Sequence, residues 1–112
     1  MGEHGLTRAL RALLHARRTA ALGTVADDGA PFVSMVPYAI DTEAHELVLH
    51  VSGLAAHTGH MAVRPRVSLL VTEGEAAGEP VHALPRVSLE AEARACERGS
   101  PEAQAARQAY LA

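Results

Sequence analysis

Ser52, His57, Thr58 and His60 stand close together, between a strand-like run ending at Val51 and an Arg-Pro-Arg break at residues 64–66. Hydroxyls and imidazoles in that order suit anion binding. Where a strand feeds a helix, the first backbone N–H groups lack helical partners and attract phosphate or carboxylate. Ser52 is placed to cap such a helix, and His57 lies in its first turns as a protonatable cation. His57 and His60 also have the i, i+3 spacing of two metal ligands on one helical face. A site needs a third and a fourth ligand. Cys96 is remote in sequence, and His50 and His82 have no motif spacing, so no metal centre is expected. No Ser–His–Asp or Cys–His constellation is readable, and Glu90 and Glu92 alternate along one exposed face, so no catalytic residue is assigned.

The elements that must position these residues follow from hydrophobic period. Leu6, Leu10, Leu13 and Leu14 recur at helical spacing while Arg8, Arg11, His15 and Arg18 take other faces, predicting an amphipathic helix within residues 6–18. The period then changes. Residues 19–26 form a short apolar strand, and Asp28-Gly29 is a hairpin signal. Residues 31–40 alternate, with Phe32, Ser34, Val36 and Tyr38 on one side and Val33, Met35, Pro37 and Ala39 on the other. Pro37 cannot donate to a ladder, which predicts a free edge or a bulge there. Residues 46–51 give a third strand, residues 53–63 an inserted helix, and residues 66–72 a fourth strand. After a polar loop at 73–80, residues 86–95 place Val87, Leu89, Ala91 and Ala93 inward. Ser100-Pro101-Glu102 starts a last helix, residues 100–112. Tight turns and helices at the ends predict a mainly β fold, a small antiparallel split β-barrel, as one domain over residues 1–112 with its barrel strands in 19–95. So small a barrel fills its interior with side chains, so a sizeable ligand binds outside it or between subunits.

Composition narrows the function. The net charge is −3, with no Trp, one Phe and two Tyr, so neither charge nor stacking surface favours nucleic acid. No apolar run approaches a membrane span, and the N-terminus carries Glu3 and His4 where a signal peptide would be basic. One cysteine, Cys96, excludes an internal disulfide and suits a reducing compartment, so a cytoplasmic protein is expected.

The segments Ala20–Asp41 (AALGTVADDGAPFVSMVPYAID), Leu49–Met61 (LHVSGLAAHTGHM), Arg64–Val71 (RPRVSLLV) and Leu84–Ala93 (LPRVSLEAEA) resemble the pyridoxamine 5′-phosphate oxidase-like split-barrel flavoproteins, above all their haem-utilisation branch. Each motif is short; their order and spacing carry the resemblance. It implies a homodimer with FMN in a cleft at the subunit interface. By position, the flavin would lie along Ser34, Met35, Val36, Pro37 and Tyr38, with His50, Val51 and Ser52 from the next strand. His57 would be the basic phosphate ligand, assisted by Thr58, and Arg86 would reach the flavin, often from the partner. The family's usual asparagine is here His60, and a usual glycine is Ala91. The chain also ends within a helix that leads, in relatives, to a further strand.

These readings together predict an FMN-dependent oxidoreductase acting on a small molecule. In such a protein the cofactor does the electron chemistry, and the protein binds and tunes it. Haem binding or haem degradation is the alternative, since histidine is a common axial ligand and seven are present. A split barrel without cofactor, acting as an interaction module, is the third reading.

Overall fold

The computed structural model describes residues 5–52, 54–75, 77–97 and 99–111. Helix α1 (Gly5–Ala16) leads into β1 (Thr19–Val25), β2 (Pro31–Asp41) and β3 (Glu46–Leu49). Helix α2 (Ala56–Val63) is inserted before β4 (Arg66–Thr72); a single 3₁₀ turn (Val81–Ala83) precedes β5 (Arg86–Glu92), and α3 (Pro101–Leu111) follows. The strands form one sheet in the order β3-β2-β1-β4-β5, every neighbouring pair antiparallel.

Local chemistry explains most of the boundaries. Between β1 and β2, Gly29 takes φ 86° and its N–H donates to the Ala26 carbonyl, so the Asp-Asp-Gly turn closes as the dipeptide signal predicts. The β1–β2 ladder runs from Thr19↔Pro37 to Val25↔Pro31, whereas the β2–β3 ladder begins only at Tyr38↔Leu49. Pro37 therefore sits where β2 has lost its neighbour on one side, the free edge expected of a residue without an N–H. β5 stops at Glu92, short of residue 95, because β4 begins opposite it at Arg66; one last bond joins the Ala93 N–H to the Pro65 carbonyl. Ser100 caps α3, its Oγ accepting from the Ala103 N–H at 3.0 Å.

Alternation along β1 and β4 builds the core. Ala20, Leu22 and Thr24 of β1 face the same side as Val67, Leu69 and Val71 of β4, and all six are buried. Val36 and Tyr38 of β2 join them, and Leu13 of α1 closes over this face. The sheet curls into a half-barrel whose two outer strands approach: Arg94, just past β5, reaches Glu46 at the start of β3 at 3.2 Å. Such an exposed pair contributes under about 1 kcal/mol, so it marks the closure more than it causes it. In β5 the inward set is less buried than the alternation suggests. Val87, Leu89 and Ala93 are half-buried and Ala91 is exposed.

Candidate functional site

Two polar residues interrupt the apolar inner face, and both lie toward α2. Thr24 follows Ala20 and Leu22 in the β1 alternation, and Ser34 pairs with Leu22 across the β1–β2 ladder. A hydroxyl facing a core needs a partner. Helix α2 supplies one for each: Thr24 Oγ1 lies 2.8 Å from His60 Nδ1, and Ser34 Oγ lies 3.0 Å from His57 Nδ1. Thr24 is only 2% exposed, so its bond is sheltered from water. Phe32 completes the corner, packing edge-on against the His60 ring with centroids 5.2 Å apart. The far nitrogen of His57, Nε2, is buried without a hydrogen-bond partner among the described residues. Arg64, just past α2, reaches Asp27 in the β1–β2 turn at 2.9 Å and ties the other end of the helix to the sheet. The arrangement is a helix latched to a sheet through imidazole–hydroxyl pairs.

This differs from the anion corner expected at the helix start. Helix α2 begins at Ala56, not residue 53, with Ala55 at the cap position and no side-chain cap. Ser52 is used one turn earlier. Its Oγ accepts from the Leu54 N–H at 3.2 Å, and its carbonyl accepts from the Ala55 N–H and the Thr58 hydroxyl. These local bonds compete with helix formation, which delays the start of α2.

The remaining expected cofactor residues fall into distinct settings. Met35 is 76% exposed on the outer face, whereas Val36 is 2% exposed in the core. Pro37 is exposed at the free edge of β2, and Tyr38 is buried with its hydroxyl donating to the Leu14 carbonyl at 2.6 Å. Burial pushes the Tyr38 phenol up from its ordinary range, opposed by the charge of Arg17. His50 is exposed and Val51 is half-buried against the core. Arg86 lies on β5, three strands from β2 in the sheet, and its Nη1 donates back to the His82 carbonyl at 3.3 Å. Within the chain the structure thus joins Ser34 to His57 and Ser52 to Thr58, and holds Arg86 apart. Thr24 and Phe32 were not among the expected site residues, and His60 was not among the expected cofactor ligands. Their signal was a threonine at an inward position of an otherwise apolar strand.

The outer face of the sheet is also distinctive. Ala21 pairs with Met35 on one side and Leu70 on the other, and Gly23 pairs with Val33 and Ser68. Small residues on β1 between larger ones on β2 and β4 make a shallow trough, in which Val33 is 70% and Leu70 39% exposed. Among the described residues no group of three or more His, Cys, Asp or Glu is placed to hold a metal ion, and no helix is long and apolar enough to cross a membrane.

A curled antiparallel half-barrel with an inserted helix and terminal helices is the split-barrel architecture. The sequence pattern of the pyridoxamine 5′-phosphate oxidase family matches residues 6–112, and the chain belongs to that family. It is 32% identical over 84 residues, 75% of its length, to the heme oxygenase HutZ of Vibrio cholerae. Those residues cover 47% of that relative, so the chain spans about half the length of the curated protein it matches. Among solved structures, a heme binding protein from Mycobacterium smegmatis superposes with a TM-score of 0.81 at 28% identity, covering 97% of this chain and 43% of the other. The structure of HutZ from Vibrio cholerae, described as a heme storage protein, gives 0.78 at 27%, covering 95% of this chain and 71% of the other.

Proposed function

We propose that this protein binds haem and serves haem utilisation, acting as a homodimer with the cofactor at the subunit boundary. The observation that carries the choice of haem over FMN is the use already made of the corner assigned to a flavin phosphate. Ser52 accepts from Leu54, the Thr58 hydroxyl donates to Ser52, and His57 is turned inward onto Ser34. A phosphate dianion seated there could still draw on the Ser52 hydroxyl proton, but it would have to take the Thr58 hydroxyl from the Ser52 carbonyl and turn His57, whose Nε2 is buried, off Ser34. A porphyrin makes no such demand. It needs a broad apolar bed and an imidazole for its iron, and the trough of Ala21 and Gly23 flanked by Val33, Met35 and Leu70 suits the first. The relationship to HutZ, 32% identical over 75% of this chain, supports the same reading. When bound, the haem would supply the iron chemistry, and the chain's role is to bind and orient it. A small-molecule reductant or substrate and a cytoplasmic setting complete the proposal.

The same exposed trough supports the homodimer. Its paired rows, Met35–Ala21–Leu70 and Val33–Gly23–Ser68, have no cover within the described chain. A twofold axis brings such a face against itself and removes it from water.

Parallel spectral titrations with haem and with FMN test the cofactor. The expected result is a saturable Soret band that survives desalting, while added FMN elutes free. Retained FMN with no haem band would overturn the reading in favour of a flavoprotein. His→Ala variants, read by the shift of the Soret band, then identify the iron ligand.

A further inference from the structure

A second concavity lies away from the α2 corner, between the end of α1, strand β2 and helix α3. It is an open groove of about 340 Å³, lined by Leu14, His15, Arg17 and Arg18, by the β2 residues Pro37 to Ile40, by Thr42 and by Ala109 of α3. Its chemistry is two-sided. The floor is apolar, whereas the α1 end brings three basic side chains, and no carboxylate of the described residues lines it.

A cation in the last turn of a helix or just past it is ordinary, since the helix dipole favours it, and that covers His15, Arg17 and Arg18 alike. It does not account for the burial of Arg17. That side chain is half-buried, and neither its guanidinium nor that of Arg18 makes a hydrogen bond or ion pair among the described residues. Arg17 Nη2 comes near the backbone of Gly74, between Glu73 and Glu75, yet neither carboxylate pairs with it. Every other arginine from 64 to 94 has a polar partner: Arg64 has Asp27, Arg66 has Glu90, Arg86 has the His82 carbonyl and Arg94 has Glu46. A partly desolvated guanidinium without a counter-charge is unfavourable, and an incoming anion relieves it through charge-assisted, often bidentate hydrogen bonds. The Tyr38 hydroxyl is committed to Leu14, so the donors that face a ligand are the guanidinium groups, the imidazole and the Thr42 hydroxyl.

We propose that this groove binds a small carboxylate with an apolar body, its head held by Arg17 and Arg18 and its body against Ile40 and Ala109. The volume lies at the lower end of ligand pockets, which suits a medium-chain or single-ring acid. A bare phosphate would leave the apolar floor unused, and an uncharged chain would leave Arg17 without its counter-charge. The site does not depend on haem binding elsewhere.

Amide ¹⁵N–¹H correlation spectra of the 112-residue chain, titrated separately with decanoate, decanol and inorganic phosphate, test it. Decanoate should move the amides of Arg17, Arg18, Ala39, Ile40 and Ala109 and bind more tightly than either control. The double variant Arg17→Gln/Arg18→Gln should weaken decanoate roughly tenfold or more, the scale of losing a charge-assisted pair. Should the double variant lose its dispersed spectrum, Ala109→Glu, which sets a carboxylate at a half-buried position of α3 lining the groove, should weaken decanoate as well. Arg64→Gln, at a residue whose side-chain hydrogen bonds go to Asp27 and which does not line the groove, should leave the affinity unchanged. Equal binding of decanol or phosphate, or shifts unaffected by these substitutions, would overturn the proposal.

Discussion

Thr24 and His60 decide which side of α2 meets the sheet. A threonine at an inward strand position must find a partner or lose about 1–3 kcal/mol for an unpaired buried hydroxyl. His60 provides that partner at 2.8 Å and keeps its ring edge-on to Phe32. Thr24→Val keeps the shape and leaves His60 Nδ1 unpaired, so it should lower stability by about 1 kcal/mol, a fall of about 4 °C in Tm by calorimetry. His57→Leu should act differently. It removes the Ser34 bond, but it also removes a buried nitrogen that has no partner among the described residues. The net change in the same experiment should be within about 0.5 kcal/mol of zero, because both polar atoms go from an apolar corner and half-buried Ser34 can turn to water.

Tyr38 gives a pH dependence with a fixed sign. Burial raises its phenol above the ordinary 10.0, with Arg17 acting the other way. The unfolded chain therefore releases this proton first as pH rises, and the contribution of Tyr38 is intact below about pH 10 and lost above it. Denaturant unfolding of the parent should show stability falling beyond pH 10, and Tyr38→Phe should flatten that fall. At neutral pH the same variant should lose about 1 kcal/mol with the hydrogen bond to Leu14. An unchanged alkaline slope in Tyr38→Phe would refute the assignment.

At the scale of elements, the strands were legible because their period is two and their turns carry specific residues. β4 falls at residues 66–72 as read, since a proline precedes it and alternate residues Val67, Leu69 and Val71 are buried. The Asp-Gly turn and the Ser-Pro-Glu helix start were legible for the same reason: few residues fit those backbone positions. The start of α2 was not legible. Ser52 has cap chemistry, and only the folded chain shows that local bonds to Leu54, Ala55 and Thr58 use it before the helix begins. Nor could spacing alone tell that both histidines turn inward, because that depends on Thr24 and Ser34 lying across the sheet. The alternation of β2 put Met35 and Val33 on one side, but their union with Leu70 through Ala21 and Gly23 needed the register. The element-level prediction concerns that trough. Met35→Glu/Leu70→Glu should yield a monomer by size-exclusion chromatography with light scattering. Both sites are exposed, so the subunit itself should lose no more than about 0.5 kcal/mol per site at concentrations where the parent is also monomeric. A variant that remains dimeric would show that the copies meet elsewhere.

At the scale of the whole molecule, the half-barrel is a scaffold whose interior is filled by its own side chains, so its ligands must use its surfaces. The core of Leu22, Val36 and Val71 leaves no room within the barrel for a macrocycle. Membership of the pyridoxamine 5′-phosphate oxidase family establishes the architecture. The proposed cofactor follows from the internal engagement of Ser52, Thr58 and His57 together with the relationship to HutZ. Sedimentation velocity of the haem-titrated protein, recorded in the Soret band, reads cofactor and assembly at once. The account predicts one boundary at the mass of a dimer, carrying the Soret absorbance. Soret absorbance that sediments with monomer, or remains with free haem at the meniscus while the protein moves as a dimer, would contradict it.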